Sequence, residues 1–324
     1  METIYLKEPF KAPIPCVTTI GMFDGVHLGH RFVIDCLRQE AARYGLPSSV
    51  ITFDHHPRQV MHPDWQPQLL CTLDEKLMLL SQTGVDMCIV LPFTKSIGAL
   101  SAHDFMHQVL QEQIGAKVLL TGYDNHFGHR SANKQEGFED YKRYGEKIGM
   151  TVRELPQAPC QEGKEIINSS LIRRLLTEGK LEEANAALGR PYSVTGRVVS
   201  GEHIGTHLGF PTANLQPDDK AKLIPANGVY AVKVQLENMS EPKHGMTNIG
   251  RRPTFFPLAH HPLPVTIETH IFQHKGELYG QQMTISFVRS MRQEQPFESP
   301  EALKSQLLID AATAEKLLTQ DIDV

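Results

Sequence analysis

The chain has 324 residues, with 32 Lys+Arg against 37 Asp+Glu, a formal charge of −5. Hydrophobic residues at 40% and charged residues at 21% mark an ordinary folded chain, which excludes disorder, collagen-like repeats and a disulfide-stapled miniprotein. The length favours two domains. The slight acidic excess offers no basic face for duplex nucleic acid, so no nucleic-acid partner is expected.

Cys16, Cys36, Cys71, Cys88 and Cys160 form no CxxC pair, and none lies beyond Cys160. Free thiols in a reducing compartment are the plain reading. The N-terminal METIYLKEPFKAPIP carries charge and prolines where a signal peptide needs an apolar core. No apolar run approaches the roughly 18 residues a membrane span needs. A cytoplasmic protein without a membrane partner is expected.

Up to about residue 187, short apolar runs alternate with amphipathic stretches. Segments 16–21, 48–53, 87–93, 117–122 and 150–155 are near-continuous in apolar residues and read as strands of a sheet covered on both faces. Helices are predicted over 31–44, 73–82, 102–114 and 138–148, followed by a helical pair within 169–187. In the second helix Leu73, Leu77 and Leu80 form one apolar stripe. This alternation predicts a doubly wound parallel sheet, whose ligands bind beyond the carboxyl ends of its strands.

From residue 188 the pattern is all-β, closed by one amphipathic helix from Pro300 to Gln320. A small antiparallel barrel with a terminal helix is predicted. The expected domains are therefore 1–187 and 188–324, hinged at LGRPY.

The densest constellation is GMFDGVHLGH (21–30), between the first strand and the first helix. Gly21 and Gly29 permit tight turns, and a helix beginning near Gly29 or His30 aims free amides at an anion. His27 and His30, three apart, set two imidazoles toward one point, a cradle for a phosphate gaining charge. TFDHHPR (52–58) follows the second predicted strand and GYDNHFG (122–128) the fourth; in NSSLIR (168–173), Ser opens a helix and Arg173 can meet phosphate oxygens. The sixteen histidines include pairs at 55–56 and 260–261, neither with the helical spacing of a zinc site.

In the second half, GEHIGTHLGFPTAN (201–214) is a glycine-rich loop ending in a rigid turn. Its amides can wrap phosphates, Thr212 offers a hydroxyl to Mg²⁺, and Asn214 offers an amide to the same ion or to a phosphate. On the strand 265–271, Val265, Ile267 and Ile271 face one way and Thr266, Glu268 and His270 the other. Glu268 on an interior barrel wall can take a proton from a substrate hydroxyl; spacing alone also allows a solvent-facing Glu.

HxGH after a first strand resembles the signature of adenylyl and cytidylyl transferases. Together with SSLIR, LGFPTANL, NGVYAV, IETHIF and MRQEQPF, the chain resembles the bacterial bifunctional riboflavin kinase/FMN adenylyltransferases over nearly its whole length. The resemblance implies two reactions. In the barrel, riboflavin and ATP give FMN and ADP, with Glu268 as base, Thr212 and Asn214 holding Mg²⁺ and nucleotide phosphates, Gly205 and Gly209 in the nucleotide loop, and Arg292 on the flavin side. In the first domain, FMN and ATP give FAD and pyrophosphate. There the resemblance puts His27 and His30 in catalysis and Gly21, Phe23, Gly29, Gly122, Asp124, Ser170 and Arg173 around the nucleotide. Phe53, Pro57 and Arg58 fall in its flavin-contacting segment.

The sequence departs from the family pattern at Met22, His55, Asn125 and Thr206. An alternative reading keeps the kinase and leaves the first half a weakly active or merely nucleotide- or flavin-binding module.

Overall fold

The structure is a computed structural model that describes residues 1–6, 14–122, 127–128, 136–156, 165–201, 204–251 and 265–320. Asp124, Asn125, Cys160 and the pair His260–His261 lie outside the described residues. The contacts divide the chain into two units, Met1–Asn168 and Ser169–Val324.

The first unit is built on six strands: β1 (Glu2–Tyr5), β2 (Cys16–Ile20), β3 (Ser48–Phe53), β4 (Met87–Leu91), β5 (Ala116–Thr121) and β6 (Thr151–Glu154). They lie in the order β1-β4-β3-β2-β5-β6, every pair parallel. Its helices are α1 (Leu28–Tyr44), α2 (Pro57–Met61), α3 (Leu73–Ser81), α4 (Lys95–Ala99), α5 (Ala102–Asp104), a π-helical stretch (Phe105–Ile114) and α6 (Phe138–Ile148). Alternate strand residues feed opposite layers. Val17, Val50, Cys88, Val90, Val118 and Leu120 pack with Ile34 and Leu37 of α1 and Leu79 and Leu80 of α3. Cys16, Ile20, Ile51, Ile89 and Leu119 pack with Phe105, Val109 and Leu110 of the π-helix. Burial on both faces is why these strands lack polar alternation.

The strand order reverses at β2, between β3 and β5, so the loops after β2, β3 and β5 open at the switch point where such folds bind ligands. Among these elements, β1 was not read from the sequence. It is an edge strand whose residues are largely exposed.

α3 starts with a capping box: the Thr72 hydroxyl accepts from the Glu75 amide at 3.3 Å, and the Glu75 carboxylate accepts from the Thr72 amide at 2.9 Å. Its inward face carries Glu75, Lys76, Leu79 and Leu80, whereas Leu73 and Leu77 of the expected stripe are only partly buried.

The second unit opens with α7 (Ser169–Thr177) and α8 (Leu181–Leu188). The sequence reading places this pair with the first half; the structure packs it on the barrel. Asn185 is the tie, its side chain donating to Phe287 O at 2.9 Å and accepting from the Tyr192 amide at 2.7 Å. The barrel strands are β7 (Tyr192–Val199), β8 (Ala213–Pro217), β9 (Gly228–Leu236), β10 (Lys243–Arg251), β11 (Val265–Ile271) and β12 (Gln282–Arg292). They close in the order β10-β11-β8-β7-β12-β9 with antiparallel pairs throughout. A short helix α9 (Ile204–His207) precedes β8, and α10 (Pro300–Gln320) ends the described chain. No helix, among the described residues, is long and apolar enough to cross a membrane.

Candidate active sites

In the first unit, the turn after β2 is held in a costly shape. Phe23 and Val26 have φ of 48° and 40°, values that L-residues rarely adopt. The buried Asp24 holds the turn in place. Its carboxylate accepts from the amides of Leu70 (2.9 Å) and Cys71 (3.0 Å), while the Gly25 amide donates to Cys71 Sγ at 3.0 Å. Such strain persists only where the surroundings over-determine it, and it gathers at functional sites.

The turn delivers His27 as the N-cap of α1, its Nδ1 accepting from the His30 amide at 3.3 Å. A neutral His27 therefore carries its proton on Nε2. The His30 ring stacks on His27 with centroids 3.6 Å apart and planes at 20°, and lies 5.1 Å from Phe23. Burial, then the charge of His27, then that of Lys76, hold His30 well below its ordinary pKa. Its Nδ1 is buried with no hydrogen-bond partner among the described residues. Gly29 is required by close approach: a Cβ there would lie 3.1 Å from both the His27 ring and Ile167 O. The Leu28 and Gly29 amides at the helix start remain available to an anion. The cradle expected from spacing is thus two stacked imidazoles beside a helix N-terminus. Gly21 leads into it against the Phe23 ring, and Gly122 follows β5 on the same rim.

The segment after β3 is a second wall. Pro57 begins α2, and Arg58 lies over the Trp65 ring at 5.0 Å, with His56 4.7 Å from the same ring. Phe53 is itself in the core, edge-on to Phe93 at 5.4 Å. His55 is exposed beside Asp54. Ser170 and Arg173 stand at the start of α7, in the second unit; Ser170 is exposed and Arg173 half-buried.

In the barrel, strand register decides the site. Glu268 of β11 stands opposite Asn214 of β8 on one side and Asn248 of β10 on the other, so the three side chains form a row on one face. That face is identified by its neighbours. Met246, opposite His270, clusters with Ala231 and with Ala314 and Leu318 of α10, so it looks outward. The alternate residues Thr247 and Thr269 are wholly buried and hydrogen-bond to each other at 2.9 Å, which marks the interior. Glu268 therefore lies on the outer wall, correcting the interior position expected from alternation alone.

Asn214 packs so closely on Gly201 that a Cβ there would sit 2.1 Å from its amide nitrogen. Gly209, at φ +87°, closes the loop before Thr212, and Gly205 O accepts from the Phe210 amide at 2.8 Å. Thr206 is exposed on α9. The His270 ring donates from Nδ1 to Pro211 O at 2.8 Å and meets Phe210 edge-on, tying the Thr212 loop to the Glu268 strand. The Glu294 carboxylate accepts from Asn248 (3.1 Å) and Asn227 (3.3 Å). Arg292 makes a forked bond to Asp310 of α10, Nη2 to Oδ2 at 2.7 Å and Nε to Oδ1 at 3.0 Å. It also bonds Gln293 O and lies 5.7 Å from the Phe297 ring, so it braces the segment 293–297.

Two family models match the chain, FAD synthetase over residues 10–171 and riboflavin kinase over residues 188–318. Curated relatives named bifunctional riboflavin kinase/FMN adenylyltransferase match along nearly the whole length. The Pseudomonas fluorescens protein is 36% identical, covering 93% of each chain. That of Escherichia coli K12 is 34% identical over 92% of this chain and 91% of its own, and that of Bacillus subtilis 33% over 97% of each. This chain belongs to the bifunctional riboflavin kinase/FMN adenylyltransferase family.

A crystal structure named as a macrolide-efflux protein of Streptococcus pneumoniae has the same fold, with a TM-score of 0.84 and 28% identity over 97% of this chain and 99% of that one. As a bifunctional riboflavin kinase/FMN adenylyltransferase, the chain phosphorylates riboflavin and adenylates the product, using ATP in both steps and a divalent metal. Both halves match their own family model, so nothing favours a first half that merely binds ligand.

Asp24, Asn248 and Glu294 are site-shaping residues that the motif reading did not single out. Asp24 sits inside the quoted motif, and only its buried bonds to residues 70–71 show its task.

Proposed function

We propose that adenylyl transfer is carried by the parallel-sheet domain and riboflavin phosphorylation by the barrel domain, with the residue roles below. The observation that carries the reading is the paired constellation: stacked His27 and His30 at a switch-point turn, and the Asn214–Glu268–Asn248 row on a barrel wall.

In the barrel, Glu268 accepts the proton of the ribityl hydroxyl as its oxygen attacks the γ-phosphorus and ADP leaves. Thr212 and Asn214 offer hard oxygen donors, which fit Mg²⁺. Among the described residues no cluster of three His, Cys, Asp or Glu forms a protein cage, so phosphate and water oxygens would complete the shell, as Mg²⁺ prefers. When bound, the ion neutralises phosphate charge. Gly205 and Gly209 shape the loop around the nucleotide. Arg292 serves the flavin side by holding residues 293–297 in place.

In the first domain the FMN phosphate is already a nucleophile. It attacks the α-phosphorus, and pyrophosphate leaves. His27 Nε2–H and the neutral His30 ring, with the Leu28 and Gly29 amides, stabilise the charge that gathers on the α-phosphate. Gly21, Phe23 and Gly122 border the adenylate side, and the family resemblance assigns Asp124, Ser170 and Arg173 to nucleotide binding. Phe53 backs, and Pro57 and Arg58 border, the flavin. The four described cysteines are free, which fits a cytoplasmic enzyme.

The test follows FMN and FAD chromatographically in the full chain with ATP and Mg²⁺. Glu268→Gln abolishes FMN formation while supplied FMN still becomes FAD. His30→Ala does the reverse. Loss of both activities in either variant, or normal FAD synthesis by His30→Ala, overturns the assignment.

A further inference from the structure

Lys76 is a buried cation with no part in the roles above. It lies on the inward face of α3 at 5% exposure, beneath the loops that end β2 and β3. Its ammonium donates to Thr52 Oγ1 at 3.1 Å and to Phe53 O at 3.4 Å. The Thr52 hydroxyl in turn donates to Met22 O at 3.2 Å. One lysine thus ends a chain of donors that runs into the histidine-bearing turn and also pins the exit of β3, where the flavin wall begins. A buried ammonium is costly unless it is bonded and faced by negative groups. Here the charged and titratable groups that face it are Cys71, Asp24, Cys88, Asp54 and His30; burial lowers its pKa, and the first four groups raise it.

We propose that Lys76 is a positioning residue for adenylyl transfer: through Thr52 it fixes the Met22 carbonyl, and with it the turn that presents His27 and His30, while placing a positive charge beneath that turn. This rests on the assignment of adenylyl transfer to the His27/His30 turn. Two effects follow. Geometry comes first, because the Phe23 and Val26 strain leaves that turn ready to relax once a bond is lost. Charge comes second: Lys76, like His27, opposes protonation of His30. Removing Lys76 lets His30 take a proton at higher pH.

The experiment uses the full chain and measures FMN-to-FAD conversion with ATP and Mg²⁺. Riboflavin-to-FMN conversion in the same preparation serves as the internal control. Lys76→Met lowers kcat for FAD formation about 10- to 100-fold, the scale of a misplaced catalytic turn. It also moves the acid limb of the pH–rate profile upward, a change that a purely structural loss would not produce. Thr52→Val keeps the charge and breaks the chain, so kcat falls by about fivefold or more with the acid limb unmoved.

A folded Lys76→Met protein with FAD formation within about threefold of the parent and an unshifted profile overturns the proposal. Should Lys76→Met not fold, Thr52→Val decides, and parental kcat in that variant overturns it. The site assignment is tested apart from this by His30→Ala. If that variant makes FAD normally, the assignment has failed; if it is inactive while Lys76→Met is active, only the role of Lys76 has failed.

Discussion

The forked bond between Arg292 and Asp310 joins the last barrel strand to the terminal helix, and its removal has a calculable cost. Asp310 is 4% exposed and Arg292 21%. Replacing Arg292 by Met leaves a buried carboxylate with the Gln306 amide, 2.8 Å away, as its remaining side-chain donor among the described residues. Deleting one partner of a buried pair costs about 3–5 kcal/mol. The Gln306 bond places Arg292→Met at the lower end, about 3 kcal/mol, or roughly a 150-fold change in the folding equilibrium. Asp310→Asn is milder, about 1–2 kcal/mol, because the guanidinium reaches water and keeps its bond to Gln293 O. Arg292→Met combined with Asp310→Leu recovers part of the loss, with a coupling of about 2 kcal/mol.

For a unit of this size, 3 kcal/mol lowers Tm by about 6–12 °C. The assay is calorimetry of the full chain, with KM for riboflavin measured well below the transition. Arg292→Met that melts within about 2 °C of the parent while KM rises sharply would refute the argument, because the guanidinium would then be serving the flavin directly.

Three further outcomes are expected. His30 has a folded-state pKa well below its unfolded value, so its contribution to stability is complete above about pH 6.5 and is lost as pH falls through the folded value, by at most about 1.4 kcal/mol per pH unit; urea titrations between pH 7 and 5 should show a steeper slope in the parent than in His30→Asn, in which His274, also lowered, still contributes. Gly29→Ala places a Cβ 3.1 Å from the His27 ring and should lower FAD formation about 100-fold, leaving FMN formation intact in the same chromatographic assay. Gly250→Ala places a Cβ 1.9 Å from Glu294 Oε1, displacing the carboxylate that accepts from Asn248; riboflavin kinase activity should fall about 10-fold while supplied FMN is still adenylated.

Much of this architecture is legible in the chain because burial writes itself into composition. β3 and β4 are buried at every position, and their unbroken apolar runs announce a sheet covered on both faces. β1 escapes notice because an edge strand buries little and so carries no such run. β8 escapes because its Ala-Asn-Leu-Gln-Pro has weak strand character, and only pairing with β7 and β11 makes it a strand. Lys76 and Asp24 are invisible to periodicity for a different reason. Their burial depends on partners far away in sequence, and local pattern reads charge as exposure. Glu268 illustrates the remaining limit. Alternation separates two faces of β11, yet which face is inside depends on where α10 packs, and that is a tertiary fact.

The Asn214–Glu268–Asn248 row has a consequence for how the protein matures. Its three members come from three different strands, β8, β10 and β11, and meet only through ladder register. A slip of one residue in β11 would turn Glu268 inward and bring Thr269 to the surface. The row therefore waits on the β8–β11 and β11–β10 ladders, and a barrel lacking either one cannot assemble it. During refolding, the first appearance of FMN would report the setting of those two ladders, readable without any spectroscopic label.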